Sequence, residues 1–329
     1  MGDAIVVWNR TMHDTQRSVY THEQLTRTGL TDNEIRSKIR RGELERLRRG
    51  VYRSAPAPAL EVRHRQLIDA ALTVIDPTTV VSHVSAGVLH GLPVPTSSLD
   101  RATVTRRLPG HGKWGQRLIV RNSRLDDDEV VDLDGVLTTT LARTASDLAR
   151  TSHFEWGVAG CDAALGQDLE RSALTTAVGR HPRLHGVARA RRVVDFADGF
   201  AESPAESLSR VAMDRVGVPR PVSQFEIHDD AGEFIARCDF GWPHLMLVGE
   251  IDGRGKYGAL LLPGESPADA IMREKQREER IREYGYDIVR WDWDHATHPR
   301  KLEQRLLRVM RRRANLLGVP LMSPFAPLA

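Results

Sequence analysis

At 329 residues, with 40% hydrophobic and 28% charged side chains, the chain is long enough for two or three domains with buried cores. A formal net charge of +3 is too small to establish nucleic-acid binding, so that argument rests on where the charge sits. Cys161 and Cys238 are too far apart for a zinc site or a disulfide framework, residues 4–8 are too short for a signal-peptide core, and no apolar run reaches transmembrane length; a cytoplasmic protein without membrane contact is expected.

The first elements in chain order are two short helices. Thr21-His22-Glu23-Gln24 and Thr31-Asp32-Asn33-Glu34 each match a capping box, in which a threonine hydroxyl and an acid or amide three residues on satisfy each other's backbone N–H groups. Gly29 and Gly42 close the two helices. Two helices joined by a tight turn make a helix-turn-helix candidate. On the second, Ile35 and Ile39 lie one turn apart and face inward, leaving Asn33, Arg36, Ser37 and Arg40 outward. Residues 44–53 then alternate and turn at Arg49-Gly50, as a basic wing does, carrying Arg46, Arg48 and Arg49 beside Arg41. In such proteins the second helix enters the major groove, where Arg and Asn read base edges while other arginines meet phosphates. The competing reading is a solvated helix in an arginine-rich chain, because only five of the 47 basic residues are lysine.

The stretch GLTDNEIRSKIRRGELERLRRGVYR resembles the winged-helix domain of the AbiEi family of antitoxins, and VVSHVSAGVLHGLPVP and DLDGVLTTTLARTASDLAR continue the likeness. The resemblance implies a regulator of a toxin operon acting on inverted DNA repeats, with a cognate toxin as partner.

After the proline-punctuated segment 54–58, helices are expected over 59–75 and 83–90, strands over 102–108 and 116–122, a turn at Gly135, and helices around 140–149, 154–165 and 186–197. The middle part therefore reads as mixed α/β. Ser82-His83, Ser85 and His90 invite a nucleophile reading, but no oxyanion-loop motif supports a triad, and packing and capping roles are favoured. His181 and His185 straddle Pro182, which weakens a helical metal site; Arg189, Arg191 and Arg192 could extend a phosphate track or be solvated.

Towards the carboxyl end, Ser203 caps a helix with Pro204 at its first position and Glu206 as the capping-box acid. Residues 234–240 and 245–248 read as a hairpin turning at 241–244, which sets Asp239 opposite Val248 and diagonal to Glu250, with Asp252 on the face of Glu250. Carboxylates beside an apolar strand are costly unless a positive group neutralises them, and a hard cation such as Mg²⁺ or Mn²⁺ would do so. The bland alternative is pairing with Arg237 and Arg254. A charged helix containing Lys275 follows over 268–284, then a strand over 286–291.

SPAES, DFGWP, VGEIDGRGKY and the spacing to REKQREERIREYGYDIVRWDW resemble the PD-(D/E)XK restriction-endonuclease-like group, in the branch similar to very-short-patch-repair endonucleases, over about residues 200–310. The resemblance implies Asp239 and Glu250 as ligands of Mg²⁺ or Mn²⁺, with Glu206 and Asp252 as further acids. Asp252 stands where the group usually has lysine, so Lys256 or Lys275 would supply the positive charge.

The expectation is thus an α/β (α+β overall) chain: a winged helix-turn-helix over 1–55, a mixed α/β middle domain over 56–199, and a restriction-endonuclease-like α/β/α domain over 200–329. Its expected function is metal-dependent hydrolysis of nucleic-acid phosphodiesters on double-stranded DNA. The alternatives are a non-catalytic AbiEi-type antitoxin or autorepressor with a degenerate nuclease fold, and a nuclease directed at RNA.

Overall fold

The computed structural model describes residues 19–55, 59–73, 75–252 and 266–322. The chain is mixed α/β, with twelve α-helices and three sheets among the described residues, and divides into two compact units, Met1–Ala197 and Asp198–Ala329.

The first unit begins with β1 (Val19–Thr21), α1 (His22–Arg27), α2 (Asp32–Arg40), β2 (Leu44–Arg48) and β3 (Val51–Ser54). The threonine caps form as their sequence dictates: Thr21 and Thr31 each accept the N3 backbone N–H, while Gln24 and Glu34 reach back to the cap N–H. Each cap is worth about 1 kcal/mol to a helix too short to persist alone. Gly29 and Gly42 take φ values of +91° and +71°, which end the helices. The strands pair antiparallel in the order β1-β3-β2, and Leu25, Ile35, Leu44 and Tyr52 pack beneath them. Leu47 and Val51 of the hairpin share a second apolar cluster with Leu67 and Ile68 of α3 (Leu60–Leu72). The Arg53 guanidinium is fully buried there between Glu45 and Gln66.

The rest of this unit is a six-stranded sheet covered by helices. Its strands are β4 (Val80–Val81), β5 (Ala102–Arg106), β6 (Lys113–Trp114), β7 (Leu118–Asn122), β8 (Val130–Leu133) and β9 (Val136–Thr139), ordered β6-β7-β5-β4-β9-β8. α4 (His83–Leu89), α5 (Leu141–Thr151), α6 (Phe154–Leu165), α7 (Arg171–Arg180) and α8 (Val187–Phe196) complete it. The helices expected over 59–75, 83–90, 140–149, 154–165 and 186–197 and the strands over 102–108 and 116–122 all have counterparts here.

The second unit runs α9 (Pro204–Val216), β10 (Val222–His228), β11 (Phe234–Trp242), β12 (Leu247–Asp252), α10 (Pro267–Glu283), β13 (Asp287–Asp292), α11 (Trp293–Thr297) and α12 (Pro299–Leu317). The sheet order is β10-β11-β12-β13; the first three strands form an antiparallel meander, and β13 lies parallel to β12 after the crossover that a parallel pair requires. On one face Trp291 stacks on Phe240 at 5.5 Å, and its indole N–H donates to Ser209 of α9 at 2.9 Å. On the other, Ile227, Ala236, Cys238 and Val248 meet Ile281 of α10.

The hairpin differs in register from the expectation. β11 continues through Trp242, whose buried indole N–H donates to the Pro219 carbonyl, and the connection is a 3-10 turn over Pro243–Leu245 with Met246 at φ +47°. Phe240 therefore pairs with Gly249 and Gly241 with Val248, two residues away from the expected alignment. Continued by one step, this register sets position 239 across from 250.

Candidate functional site

Two regions carry chemistry: the exposed face of α2 with the β2–β3 hairpin, and the acidic side chains around β11 and β12. On α2, Asn33, Arg36 and Arg40 are exposed and Ser37 is half-buried, because Ile35 turns inward to the small apolar cluster. Arg46 and Arg49 are exposed on the hairpin. Among the described residues, Arg36, Arg40, Arg46 and Arg49 form no ion pair, so their charge is free to meet an anion. Two arginines grouped with them in the sequence are otherwise engaged. Arg41 donates to Glu43 at 2.5 Å and to Ser37 at 3.2 Å, and half-buried Arg48 donates to the Ala70 carbonyl of α3. A helix-period argument does not separate these, since their partners lie across the turn and on another helix.

In the second unit Glu206 is buried in the first turn of α9. It accepts from the Ser203 hydroxyl at 2.7 Å, the Glu202 N–H at 3.0 Å and the Gln224 amide at 2.7 Å. Burial, and then the charge of Asp239, push its carboxyl up to about 7, whereas its hydrogen bonds pull the other way. Asp239 accepts the Ile251 N–H at 2.8 Å, which ties it to β12. Strict alternation is interrupted at this point: Phe240 faces Trp291 while Cys238 packs near Ile281, and Gln224 on the neighbouring strand has φ +48°.

Glu250 is buried too, but its surroundings are cationic. Arg277 of α10 reaches one carboxylate oxygen at 2.6 Å, and Arg290 of β13, in register with Glu250, reaches the other at 3.0 Å. Burial raises its pKa, yet the two guanidinium groups outweigh burial and hold the carboxyl below its ordinary range. Arg290 also meets Glu274 and Glu278, both at 2.8 Å. The structure therefore brings Glu206 together with Asp239 and couples Glu250 to two arginines that sequence reasoning did not single out. Arg290 is recognisable only once β13 is laid parallel to β12.

Asp252 is exposed at the end of β12, across from Asp292. Lys275 is exposed on α10 and forms no ion pair among the described residues; Lys256 and Arg254 lie outside the described residues. The carboxylate of Asp239 raises the pKa of Glu206, a repulsion of the kind a divalent cation at Glu206 would relieve, whereas Glu250 would first have to exchange an arginine for such an ion.

Among the described residues, the one group of three ligating side chains spaced for a metal lies in the first unit: Asp126, Glu129 and His181. Sequence reasoning missed it because His181 is 52 residues from Glu129. Guanidinium groups already occupy its surroundings, with Arg143 on Glu129 at 2.9 Å and Arg124 on Asp126 at 3.0 Å.

Ser82, His83, Ser85 and His90 are placed for structure. His83 Nδ1 lies 3.0 Å from the Ser82 hydroxyl, and its Nε2 accepts from Arg150 at 3.1 Å. An arginine always donates, so Nε2 is the unprotonated nitrogen of the neutral ring; Nδ1 then carries the proton, donates it to Ser82, and cannot act as a base towards that hydroxyl. Ser85 bonds buried His64 at 2.9 Å, and His90 bonds the Thr139 carbonyl at 2.7 Å.

No family model matches the chain. Two curated proteins of Mycobacterium tuberculosis, from strains CDC 1551 / Oshkosh and ATCC 25618 / H37Rv and each named only as an uncharacterized protein, are 35% identical to it over 158 residues. That match covers 48% of this chain and 55% of theirs, so the chain spans about half the length of the curated relatives it matches. No helix among the described residues is long and apolar enough to cross a membrane.

Proposed function

We propose that this protein binds double-stranded DNA through α2 and the β2–β3 hairpin. One observation carries the reading: a β1-β3-β2 sheet frames two capped helices, and the outer face of the second joins the hairpin in presenting arginines that no carboxylate among the described residues balances. This arrangement supports a winged helix-turn-helix, in which Arg36, Arg40 and Asn33 meet base edges and Arg46 and Arg49 meet phosphates. The resemblance of residues 29–53 to AbiEi antitoxins supports the operator of a toxin gene as the target, and a toxin as protein partner would follow from it.

Selection of bound sequences from a random duplex pool, followed by titration at fixed salt, tests the reading. Arg36→Ala and Arg40→Ala are each expected to weaken the selected site by about 1–3 kcal/mol where the lost contact is bidentate to a base, and Arg46→Ala to weaken all duplexes alike. Unchanged affinity and salt dependence in both α2 variants would overturn it.

A second reading is favoured by the α9–β10–β11–β12–α10–β13 order and by the seating of Asp239 beside Glu206. In it the carboxy-terminal unit is restriction-endonuclease-like and cleaves phosphodiesters with a divalent metal held by Asp239, with Glu206 and Glu250 around it. The metal would activate water and polarise the phosphate. Arg277 and Arg290 hold Glu250 in place and supply the positive charge for which the sequence offers Lys256 or Lys275. Incubation of plasmid DNA, and of RNA in parallel, with Mg²⁺ or Mn²⁺ is expected to yield cleavage that Asp239→Ala abolishes. Clean protein that binds DNA and cuts none of several substrates excludes catalysis and leaves the regulator.

Glu206 adds a pH prediction. Its folded-state pKa, about 7, lies above that of an unfolded glutamate, so the folded chain holds the proton more tightly, and this stabilisation is full below about pH 4.3 and lost as pH rises through 7. Melts of the carboxy-terminal unit should lose up to about 1.4 kcal/mol per pH unit across that window from this group. Glu206→Gln should flatten the profile; an equally steep profile in that variant removes Glu206 as its source.

A further inference from the structure

Beyond the amino-terminal surface, the second unit contains a cleft of about 390 Å³ between strand β13, the end of its sheet, and helix α12. Arg290, His295, Lys301, Arg305 and Arg308 line it, with Gln304 and the apolar Ile288, Val289 and Val309, and no acidic side chain is among its lining residues. We propose that this cleft is a sequence-independent contact for the sugar-phosphate backbone of a nucleic acid. It does not rest on the amino-terminal reading.

The charges differ in how far they are already spent. Arg290 is held by Glu250, Glu274 and Glu278, His295 lies 2.7 Å from Asp292, and Lys301 lies 2.8 Å from Asp294. Arg305 donates to the outward-facing carbonyl of Arg290 on the strand edge, and Arg308 has no hydrogen-bond or ion-pair partner among the described residues. Arg305 and Arg308 are therefore positive groups that no carboxylate among the described residues balances. Both are exposed, while Leu302, Leu306 and Met310 of the same helix are buried. The apolar stripe anchors α12 and fixes the opposite, basic stripe along the cleft.

Geometry selects the backbone of a polymer over a small anion. Lys301, Arg305 and Arg308 recur at helical spacing and extend over roughly 10 Å of α12 at 1.5 Å per residue. A duplex strand carries one phosphate per roughly 3.4 Å of axis, so a stripe of that length meets more than one. Side chains that stay exposed along a helix form a track, whereas a nucleotide pocket encloses its ligand. The lining holds no Phe, Tyr or Trp ring on which successive bases could stack, so the contact reads charge and shape, not sequence.

The test is salt-dependent binding of the full chain to a random-sequence duplex. Wild type is compared with Arg308→Glu, with Lys301→Glu/Arg308→Glu, and with Arg36→Ala/Arg40→Ala carrying or lacking Arg308→Glu. Arg308→Glu is expected to lower affinity about tenfold for every duplex and to reduce the slope of log K against log salt by about one. Arg308 is exposed, so its variants should melt with the wild type; Arg308→Gln serves if the charge reversal unfolds the unit. Wild-type affinity and slope in the Arg308 and Lys301/Arg308 variants overturn the proposal. So does inorganic phosphate or a nucleoside triphosphate that binds the wild type at micromolar concentration, is lost in Arg308→Glu and is not displaced by duplex. An Arg308 effect with a silent Arg36/Arg40 pair sinks the amino-terminal reading and leaves the cleft standing; the reverse outcome sinks the cleft alone.

Discussion

Asp147→Ala is expected to destabilise the amino-terminal unit by about 3–5 kcal/mol, the cost of removing one member of a buried ion network. Asp147 is fully buried on α5 and accepts from the Arg150 guanidinium at 2.7 Å and 2.9 Å, while the Nε of Arg143 stands 3.2 Å away and His83 at 3.6 Å. Arg143 continues to Glu129, and Glu129 to His181. Burial alone would raise the Asp147 pKa; His83, in the acid range where its ring takes up a proton, and the guanidinium groups of Arg143 and Arg150 overcome it and hold the carboxyl far below the ordinary range. Alanine would leave two guanidinium groups in an apolar interior with one anion fewer. Urea denaturation followed by a signal from this unit measures the loss, and a change below about 1 kcal/mol would show that water or rearrangement compensates the arginines.

The same network gives the unit an acid limit. Burial, with Arg121, Arg150 and Arg143 adding to it, lowers His83 to about 3, so the folded chain keeps the ring neutral. An unfolded histidine takes up a proton below about pH 6.5, so stability falls as pH drops from 6.5 towards 3, by up to about 1.4 kcal/mol per pH unit. The Asp147 contribution is present above the unfolded pKa of about 3.9 and is lost only at still lower pH, so the first decline belongs to the buried histidines, His83 together with His64 and His90, whose pKa values burial also lowers. His83 has φ +54°, a conformation asparagine tolerates, which makes His83→Asn the variant that removes the titration with the least backbone strain.

Trp291→Ala is expected to cost the carboxy-terminal unit about 3–5 kcal/mol. The ring is 2% exposed, stacks on Phe240, and is pinned to α9 by its bond to Ser209, so one truncation empties the space between sheet and helix and strands a hydroxyl. Gly249 is the counterpart. A Cβ there would stand 2.7 Å from the Trp291 ring, so Gly249→Ala should cost about 1–3 kcal/mol by overpacking. Combined with Trp291→Ala, the added methyl enters the vacated space, and the double variant should be more stable than the sum of the two single losses implies. Strict additivity would show that the two positions do not share that volume.

The legible parts of this chain were those whose causes are local. β4 and β6 have two residues each, too few for alternation to register, and α7 contains the β-branched pair Thr175-Thr176 and a glycine that blur its helical signal. The acidic residues near β11 and β12 were found as types, but their partners were not: Arg277 and Arg290 reach Glu250 from positions 27 and 40 residues away. Likewise the arginines of the hairpin look equivalent in the sequence, and only the placement of α3 commits Arg48 while leaving Arg46 and Arg49 exposed.

The amino-acid sequence alone determined the helix starts at Thr21, Thr31 and Ser203 and the glycine stops, because a cap closes its hydrogen bonds within three residues and answers to nothing beyond them. The tertiary structure decided the two-residue shift of the β11–β12 hairpin, the parallel register of β12 with β13, and which guanidinium neutralises which carboxylate. These depend on packing Trp242, Phe240 and Trp291 in one layer, and the free energy of that layer belongs to contacts among distant segments that no local pattern encodes.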